Sequence, residues 1–369
     1  MNKMVKEILV TKSFLPPIEE YTNMIEQIWE NNWLTNNGPL HNEFAEKLND
    51  YLQVDNCTLF SNGHLALETA IKALGLTGEV ITTPFTFAST THAIVNCGLK
   101  PVFCDIEMDT FNIDSQKIED LITENTTAII PVHVFGNPCD VYAIEKIAKK
   151  HNLKVIYDAA HVFGVEVNGK GIGTFGDVSM FSLHATKVFN SIEGGLLTYA
   201  DSLYSRIFNL LKNFGITGPE TVESTGINAK MNEFQAAMGL VNLRYVDSEI
   251  AKRQQVAKCY RENLKEVKGI KYIDDITDVK HNYAYFPIVV DENEFGMSRD
   301  TLHEKLQEYK IFARKYFYPL TVDFECYKGR FDGNMLNARL VANRVLTLPM
   351  YGDLELSDVE YICKLVQQI

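Results

Sequence analysis

The sequence predicts an α/β protein in which a mostly parallel sheet lies between two helical layers over residues 1–245. A smaller α+β domain follows over residues 246–369. Three observations carry this. Between residues 57 and 200 short apolar runs alternate with helical patterns, the order that builds parallel βαβ layers. Two of these runs, Ala128-Ile129-Ile130-Pro131-Val132 and Lys154-Val155-Ile156-Tyr157, are apolar nearly throughout, as strands covered on both faces are. After residue 200 the alternation gives way to longer, charged helical patterns with two further strand-like runs.

In chain order, residues 17–31 bring Ile18, Tyr21, Ile25 and Ile28 onto one helical face, bounded by Pro17 and Asn31-Asn32. Residues 33–39, Trp-Leu-Thr-Asn-Asn-Gly-Pro, collect turn formers and read as a loop. Strands are predicted at 58–60, 80–83, 101–105, 128–134, 154–157, 178–183 and 196–199. Helices at 65–74, 115–122 and 141–151 lie between them. Residues 203–213 are helical, and 232–265, charged and periodic, reads as one long helix or two bridging to the smaller domain. There the pattern predicts a strand at 285–290, a helix at 299–309, a strand around 312–316, and helices at 335–345 and 357–368.

Composition narrows the function. Of 369 residues, 46% are hydrophobic and 22% charged, ordinary globular usage. Lys plus Arg number 35 against 48 Asp plus Glu, a formal charge of −13 that repels a phosphate backbone and disfavours nucleic-acid partners. An anionic ligand must therefore meet a local pocket of donors. Seven Cys residues are scattered with no CxxC pair and no Cys/His cluster, so neither a disulfide framework nor a zinc site is expected. Reduced thiols in a cytoplasmic protein fit that usage. Lys6, Glu7 and Lys12 flank only Ile8-Leu9-Val10, too short for a secretory leader. The long stretch 81–99, without a charged side chain, carries six Thr or Ser hydroxyls and is too polar for a membrane span.

Ligands of open α/β sheets bind beyond the carboxyl ends of the strands, and four strand-end segments carry chemistry there. Phe60-Ser61-Asn62-Gly63-His64 leads into a helix whose free N–H groups suit a phosphate, although such a turn is also an ordinary connection. Thr82 to Phe87 ends with an aromatic ring able to stack on a flat ligand, the alternative being a core Phe. Asp158 closes an apolar strand, where a carboxylate needs a cationic partner or serves as a helix cap. Asp177 to Lys187, followed by Glu193-Gly194-Gly195, places a Lys after a further strand, where a solvated surface Lys is the bland alternative. His133 and His184 are ambiguous between structural and functional roles.

Together, in this order along one sheet, the four segments supply what pyridoxal 5′-phosphate requires. Its aldehyde needs a lysine, its ring nitrogen a carboxylate that keeps it protonated, its phosphate amides and hydroxyls, and its ring an aromatic cover.

The motifs Trp33-Leu34-Thr35, Ser61-Asn62-Gly63, Thr83-Pro84-Phe85-Thr86-Phe87 and Pro131-Val132-His133-Val134-Phe135-Gly136 run in order along the chain. Asp158-Ala159-Ala160-His161, Phe181-Ser182-Leu183-His184-Ala185-Thr186-Lys187, Glu193-Gly194-Gly195, Asn228, Gln235-Ala236-Ala237 and Leu346-Thr347-Leu348-Pro349 follow. In these the sequence resembles the DegT/DnrJ/EryC1/StrS family of sugar aminotransferases, which have the aspartate-aminotransferase fold, fold type I. The resemblance implies Lys187 as Schiff-base lysine, Asp158 as ring-nitrogen partner and Phe87 as stacking residue. It implies that Gly63 and His64 amides and Ser182 hold the phosphate, with Asn228 reaching it from the other subunit of a homodimer. It further implies that His161 lies beside the phenolic oxygen, that Thr35 serves the partner's pocket, and that Arg314 and Tyr316 contact the nucleotide sugar. Position 64 is His where many relatives have Thr, and 161 is His where Gln is common.

The activity so implied is transfer of an amino group from L-glutamate, leaving 2-oxoglutarate, to a nucleotide-linked keto sugar. The Trp33-to-Pro39 and Phe135-to-Cys139 segments look most like relatives acting at C4 of dTDP-4-keto-6-deoxyglucose. The C3-keto isomer, a cyclitol ketone, and a cofactor-binding regulator without turnover are the alternatives. A dehydratase branch that replaces the lysine with His is disfavoured by Lys187.

Overall fold

The computed structural model describes residues 7–368, so Lys6, which entered the leader argument, lies outside the described residues. The first strand, β1 (Ile8–Leu9), is short. The central sheet takes β2 (Asn56–Phe60), β3 (Glu79–Thr82), β4 (Lys100–Phe103), β5 (Thr126–Ile130) and β6 (Lys154–Asp158). A small hairpin, β7 (Glu166–Val167) and β8 (Lys170–Gly171), intervenes before β9 (Val178–Ser182) and β10 (Gly195–Tyr199) complete the sheet. Its order is β2-β10-β9-β6-β5-β3-β4. Neighbours from β9 to β4 are parallel, and β10 is antiparallel to both β2 and β9. The carboxyl ends of β2, β3, β6 and β9 therefore face the same way as the amino end of β10.

Alternation along the strands explains why both faces are covered. Ile129, Val155, Tyr157, Phe181 and Leu196 point into one core. Ala128, Ile130, Ile156, Val178, Met180 and Leu197 point into the other. Each side chain of period two thus meets a helical layer. The first core takes Phe44 and Leu48 of α2 (Pro39–Leu52), together with α1 (Ile18–Asn31), α5 (Val141–His151) and α7 (Glu233–Leu243). The second takes α3 (Gly63–Ala73), α4 (Ala88–Asn96) and α6 (Leu203–Leu211).

Several expectations are corrected. The strand expected at 128–134 stops at Ile130, because Pro131 has no N–H for the ladder. The helix expected at 115–122 is two 3-10 turns, Ser115–Lys117 and Glu119–Leu121. Asp114 caps the first, and Thr123 beyond the second is drawn to Glu79 by a hydrogen bond. Helices α2 and α4 were not expected at all. The 232–265 pattern resolves into two helices, α7 and α8 (Val246–Leu264), broken at Arg244-Tyr245.

Beyond α8, three antiparallel strands (Ile270–Tyr272, Phe286–Val290 and Val345–Leu348) replace the expected pair. Val345, expected as the end of a helix, begins the third strand. Of the expected strand at 312–316, only Ile311–Phe312 pairs, parallel to β1, while Arg314 bridges to Thr347. Ile8 consequently packs in a core with Tyr260, Ile288, Leu302 and Ile362, on the side of the chain opposite to the one its sequence position suggests. Among the described residues no helix is long and apolar enough to cross a membrane.

Candidate active site

The aligned strand ends and the first turns of α3 and α4 enclose a cavity of about 630 Å³. Eight residues to which the resemblance assigns a role line it: Gly63, His64, Phe87, Asp158, His161, Ser182, Lys187 and Tyr316. Arg314 lines an adjoining hollow of about 350 Å³ that shares Phe87 and Tyr316 with the first. Thr35 and Asn228 line neither. Thr35 is exposed, its hydroxyl 3.1 Å from Asn36 Oδ1, and Asn228 Oδ1 accepts from Lys230 Nζ at 2.5 Å.

Helix α3 begins at Gly63 because Asn62 caps it, its Oδ1 accepting from the Leu65 N–H at 2.9 Å. The first N–H groups of such a helix have no partner within it and suit an anion. The turn is tight. A Cβ on Gly195, which pairs with Phe60 and Ser182 at the head of β10, would lie 2.3 Å from Asn62 O and 2.7 Å from Gly63 N. Glycine at 195 is what lets β10 run against this turn.

Asp158 ends β6 and is 5% exposed. Its Oδ2 accepts from Thr90 Oγ1 at 2.7 Å and its Oδ1 from the Ala160 N–H at 3.1 Å. No helix starts here, so the capping alternative does not apply. Burial raises the carboxyl above its ordinary range, opposed by the Thr90 and Ala160 bonds and by the Lys187 charge. A carboxylate so placed favours a cation brought into the cavity.

Lys187 follows β9 in a turn closed by its own N–H donating to His184 O at 2.9 Å, and its side chain is half-buried. The residue lines the cavity together with Asp158 and His161. Phe87 is 60% exposed on the cavity wall, which removes the core alternative for it. His161 is buried, and its Nδ1 accepts from the Phe135 N–H at 3.3 Å, which leaves the ring proton on Nε2. Burial, then Lys187 and His133, hold its pKa well below the ordinary value, so the ring is neutral. An aromatic wall of Tyr285, Tyr316 and Phe317 stands beside it, the Phe317 ring parallel to His161 at 6.0 Å.

The two ambiguous histidines separate. His133 is fully buried away from the cavity, stacked on Tyr157 at 4.7 Å, and burial lowers its pKa to about 3. His184 lines the cavity, with Nδ1 2.8 Å from Thr186 Oγ1 and Nε2 3.4 Å from Glu193 Oε1. Thr90, Ser89, His92 and Tyr285 went unnoticed in the sequence. The first three ride on α4, whose Ala-Ser-Thr-Thr-His-Ala-Ile-Val-Asn sequence has poor helix formers and no clear stripe. The one available signal was Thr90 standing one turn beyond Phe87. Among the described residues no cluster of side chains suited to a metal ion occurs.

Comparison with known proteins extends this picture. The family described as the DegT/DnrJ/EryC1/StrS aminotransferase family matches residues 17–367. A dTDP-4-amino-4,6-dideoxy-D-glucose transaminase from Shigella dysenteriae is 45% identical over 367 residues, 99% of this chain and 100% of its own. A protein of the same name from Escherichia coli is 45% identical over 365 residues, covering 98% of each chain. The crystal structure of DesI in the presence of its TDP-sugar product superimposes with a TM-score of 0.94 at 33% identity, covering 98% of this chain and 92% of DesI.

Proposed function

The chain belongs to the DegT/DnrJ/EryC1/StrS aminotransferase family, and from that premise we propose that it transfers an amino group from L-glutamate to C4 of dTDP-4-keto-6-deoxyglucose. The products are 2-oxoglutarate and dTDP-4-amino-4,6-dideoxyglucose. The proximity of Lys187 and Asp158 in one cavity carries the catalytic part of this reading. The 45% identity to transaminases of that name supports the substrate.

The residues fit pyridoxal 5′-phosphate. A buried carboxylate without a full cationic partner, an exposed Phe at a helix start, and a Gly63 turn with free amides answer the three parts of the molecule. Lys187 would hold its aldehyde, Asp158 its ring nitrogen and Phe87 its ring face. The amides of Gly63 and His64 and the Ser182 hydroxyl would hold the phosphate, with Asn228 of the partner subunit. When bound, the group supplies an electron sink that makes a carbanion at the donor's α-carbon accessible and stores the amino group between half-reactions.

The chain's own residues do the rest. Lys187 Nζ, as a neutral amine, would take the proton from the glutamate α-carbon in one half-reaction and give a proton to C4 of the sugar in the other, on the same face. Asp158, kept from water by β6 and α4, would hold its charge against the ring N–H. His161 would donate a hydrogen bond from Nε2–H to the phenolic oxygen, its ring staying neutral near pH 7. Tyr285, Tyr316 and Phe317 keep water from the reacting carbon, and Arg314 with Tyr316 would receive the nucleotide sugar. The exposed Trp29, Trp33 and Leu34 around Thr35, and Phe214 and Ile216 before Asn228, support a homodimer that buries them and shares its sites. The charge of −13 and the unpaired cysteines suit a cytoplasmic setting. The break before α8 supports the proposed division into residues 1–245 and 246–369, with the first turns of α8 packing on the larger core and its later turns on the smaller.

The test is spectroscopic. Purified protein should be yellow, L-glutamate should bleach it, and dTDP-4-keto-6-deoxyglucose should restore the colour with nitrogen found at C4 of the product. Colour insensitive to glutamate would overturn the reading, and turnover only with the C3-keto isomer would correct the substrate.

A further inference from the structure

Helix α3 turns His64 onto the same cavity wall as Ser89 in the first turn of α4. His64 Nδ1 lies 2.9 Å from Ser89 Oγ, and its Nε2 lies 3.1 Å from Glu68 Oε1, one turn further along α3. Glu68 is 8% exposed, and the same oxygen accepts from Asn96 Nδ2 at 2.8 Å. A carboxylate oxygen facing two nitrogens accepts from both, so neutral His64 carries its proton on Nε2 and presents a bare Nδ1. The Ser89 hydroxyl then donates to that nitrogen, and only its lone pairs are left for the cavity. These repel an anion.

A second proton on His64 reverses the bond. Nδ1–H now donates to Ser89 Oγ, the hydroxyl hydrogen swings free, and it can donate to a phosphate oxygen. Glu68 holds the imidazolium from behind, so the charge is paired where it forms. The other groups near His64 do not compete for this role. His92, one turn beyond Ser89, contacts the Tyr327 hydroxyl through Nδ1, and burial with neighbouring His64 keeps it below its ordinary pKa. Asp158, at the end of β6, and His184, Lys187 and Glu193, in the segment after β9, belong to other parts of the cavity wall.

We propose that His64 is a positioning residue of a proton-linked phosphate latch: one proton taken up at His64 turns the Ser89 hydroxyl toward the cofactor's phosphate, with Glu68 as counter-charge. This rests on the reading above, in which that phosphate lies at Gly63 and His64. The latch supplies by a relay the hydroxyl that a threonine at position 64 would supply directly.

Isothermal titration of the full-length, cofactor-stripped protein with pyridoxamine 5′-phosphate tests this, since that probe has no aldehyde and leaves Lys187 unreacted. At pH 7.5, in two buffers of different ionisation enthalpy, the native protein should take up about one proton per site. His64→Gln should abolish the uptake and weaken Kd about ten-fold, the worth of one hydrogen bond to a charged group. Ser89→Ala should do the same. His64→Thr should restore Kd to within about three-fold with no uptake, and His92→Asn should keep the uptake. Unchanged uptake in His64→Gln, or native affinity and uptake in Ser89→Ala, would overturn the latch. Failure of the native protein to bind the probe would overturn the cofactor reading and the latch with it.

Discussion

Asp158→Asn should make the cofactor-free protein more stable while nearly abolishing its activity. The structure shows why the variant should fold. Asn keeps an oxygen for the Ala160 N–H, and its amide can donate to Thr90 Oγ1, whose own hydroxyl can turn to Thr86 Oγ1 at 3.0 Å. No buried donor or acceptor is lost, whereas a buried charge is. Burial raises the Asp158 pKa in the folded chain, so its contribution to stability is complete at acid pH and is lost as pH rises through the folded value. Near neutral pH, removing that charge should gain about 1–2 kcal/mol, a rise of a few degrees in unfolding midpoint. Activity runs the other way. An opposite charge about 4 Å away is worth about 4 kcal/mol at an effective dielectric of 20, so kcat/KM should fall about a thousand-fold. Thermal unfolding of stripped native and variant protein between pH 4 and 8, paired with transaminase assays, measures both. A variant that is less stable across that range, or that keeps kcat/KM within ten-fold, would refute the reasoning.

Other substitutions separate the parts of the site. Gly195→Ala drives a Cβ into Asn62 O at 2.3 Å and should cost several kcal/mol, about 2–4, with loss of cofactor retention measured by dialysis. Phe87→Leu, at a 60% exposed position, should leave the unfolding midpoint within about 0.5 kcal/mol of native yet weaken cofactor binding roughly ten-fold. Lys212 is buried with its Nζ donating to Leu59 O at 3.0 Å, and burial lowers its pKa to about 8. Its folded pKa lies below the unfolded value of about 10.4, so this one group should add roughly 3 kcal/mol to native stability between pH 8 and 10.4, against the loss from buried thiols whose pKa burial raises. The difference in stability between native protein and Lys212→Met, followed in urea titrations, should change by that amount over the window.

The layers were legible because their residues speak for themselves. Alternation in Ile129-Ile130, Val155-Ile156 and Leu196-Leu197 assigns one side chain to each helical layer, and the pattern is local. The meeting of Asp158 and Lys187 at one cavity was legible for a different reason: both follow apolar strands of one sheet, and ligands of such sheets bind beyond the carboxyl ends of the strands. What stayed hidden depends on contacts distant in sequence. Helix α4 holds Thr82 to Phe87 against the sheet through burial of Thr90, Thr91, Ala93 and Ile94, not through propensity. Ile8 reaches its core by pairing with Ile311, some 300 positions away, which no window along the chain can detect. The bond from the Phe135 N–H to His161, and the His64–Ser89–Glu68 relay, likewise join separate strand ends.

Borohydride reduction of the purified holoenzyme, followed by peptide mapping by mass spectrometry, asks which amine carries the vitamin-derived aldehyde. The added mass should sit on the peptide containing Lys187 and nowhere else. Its appearance instead on Lys212, the buried amine of lowered pKa, or on no lysine, would contradict the assignment of chemistry to the strand-end cavity.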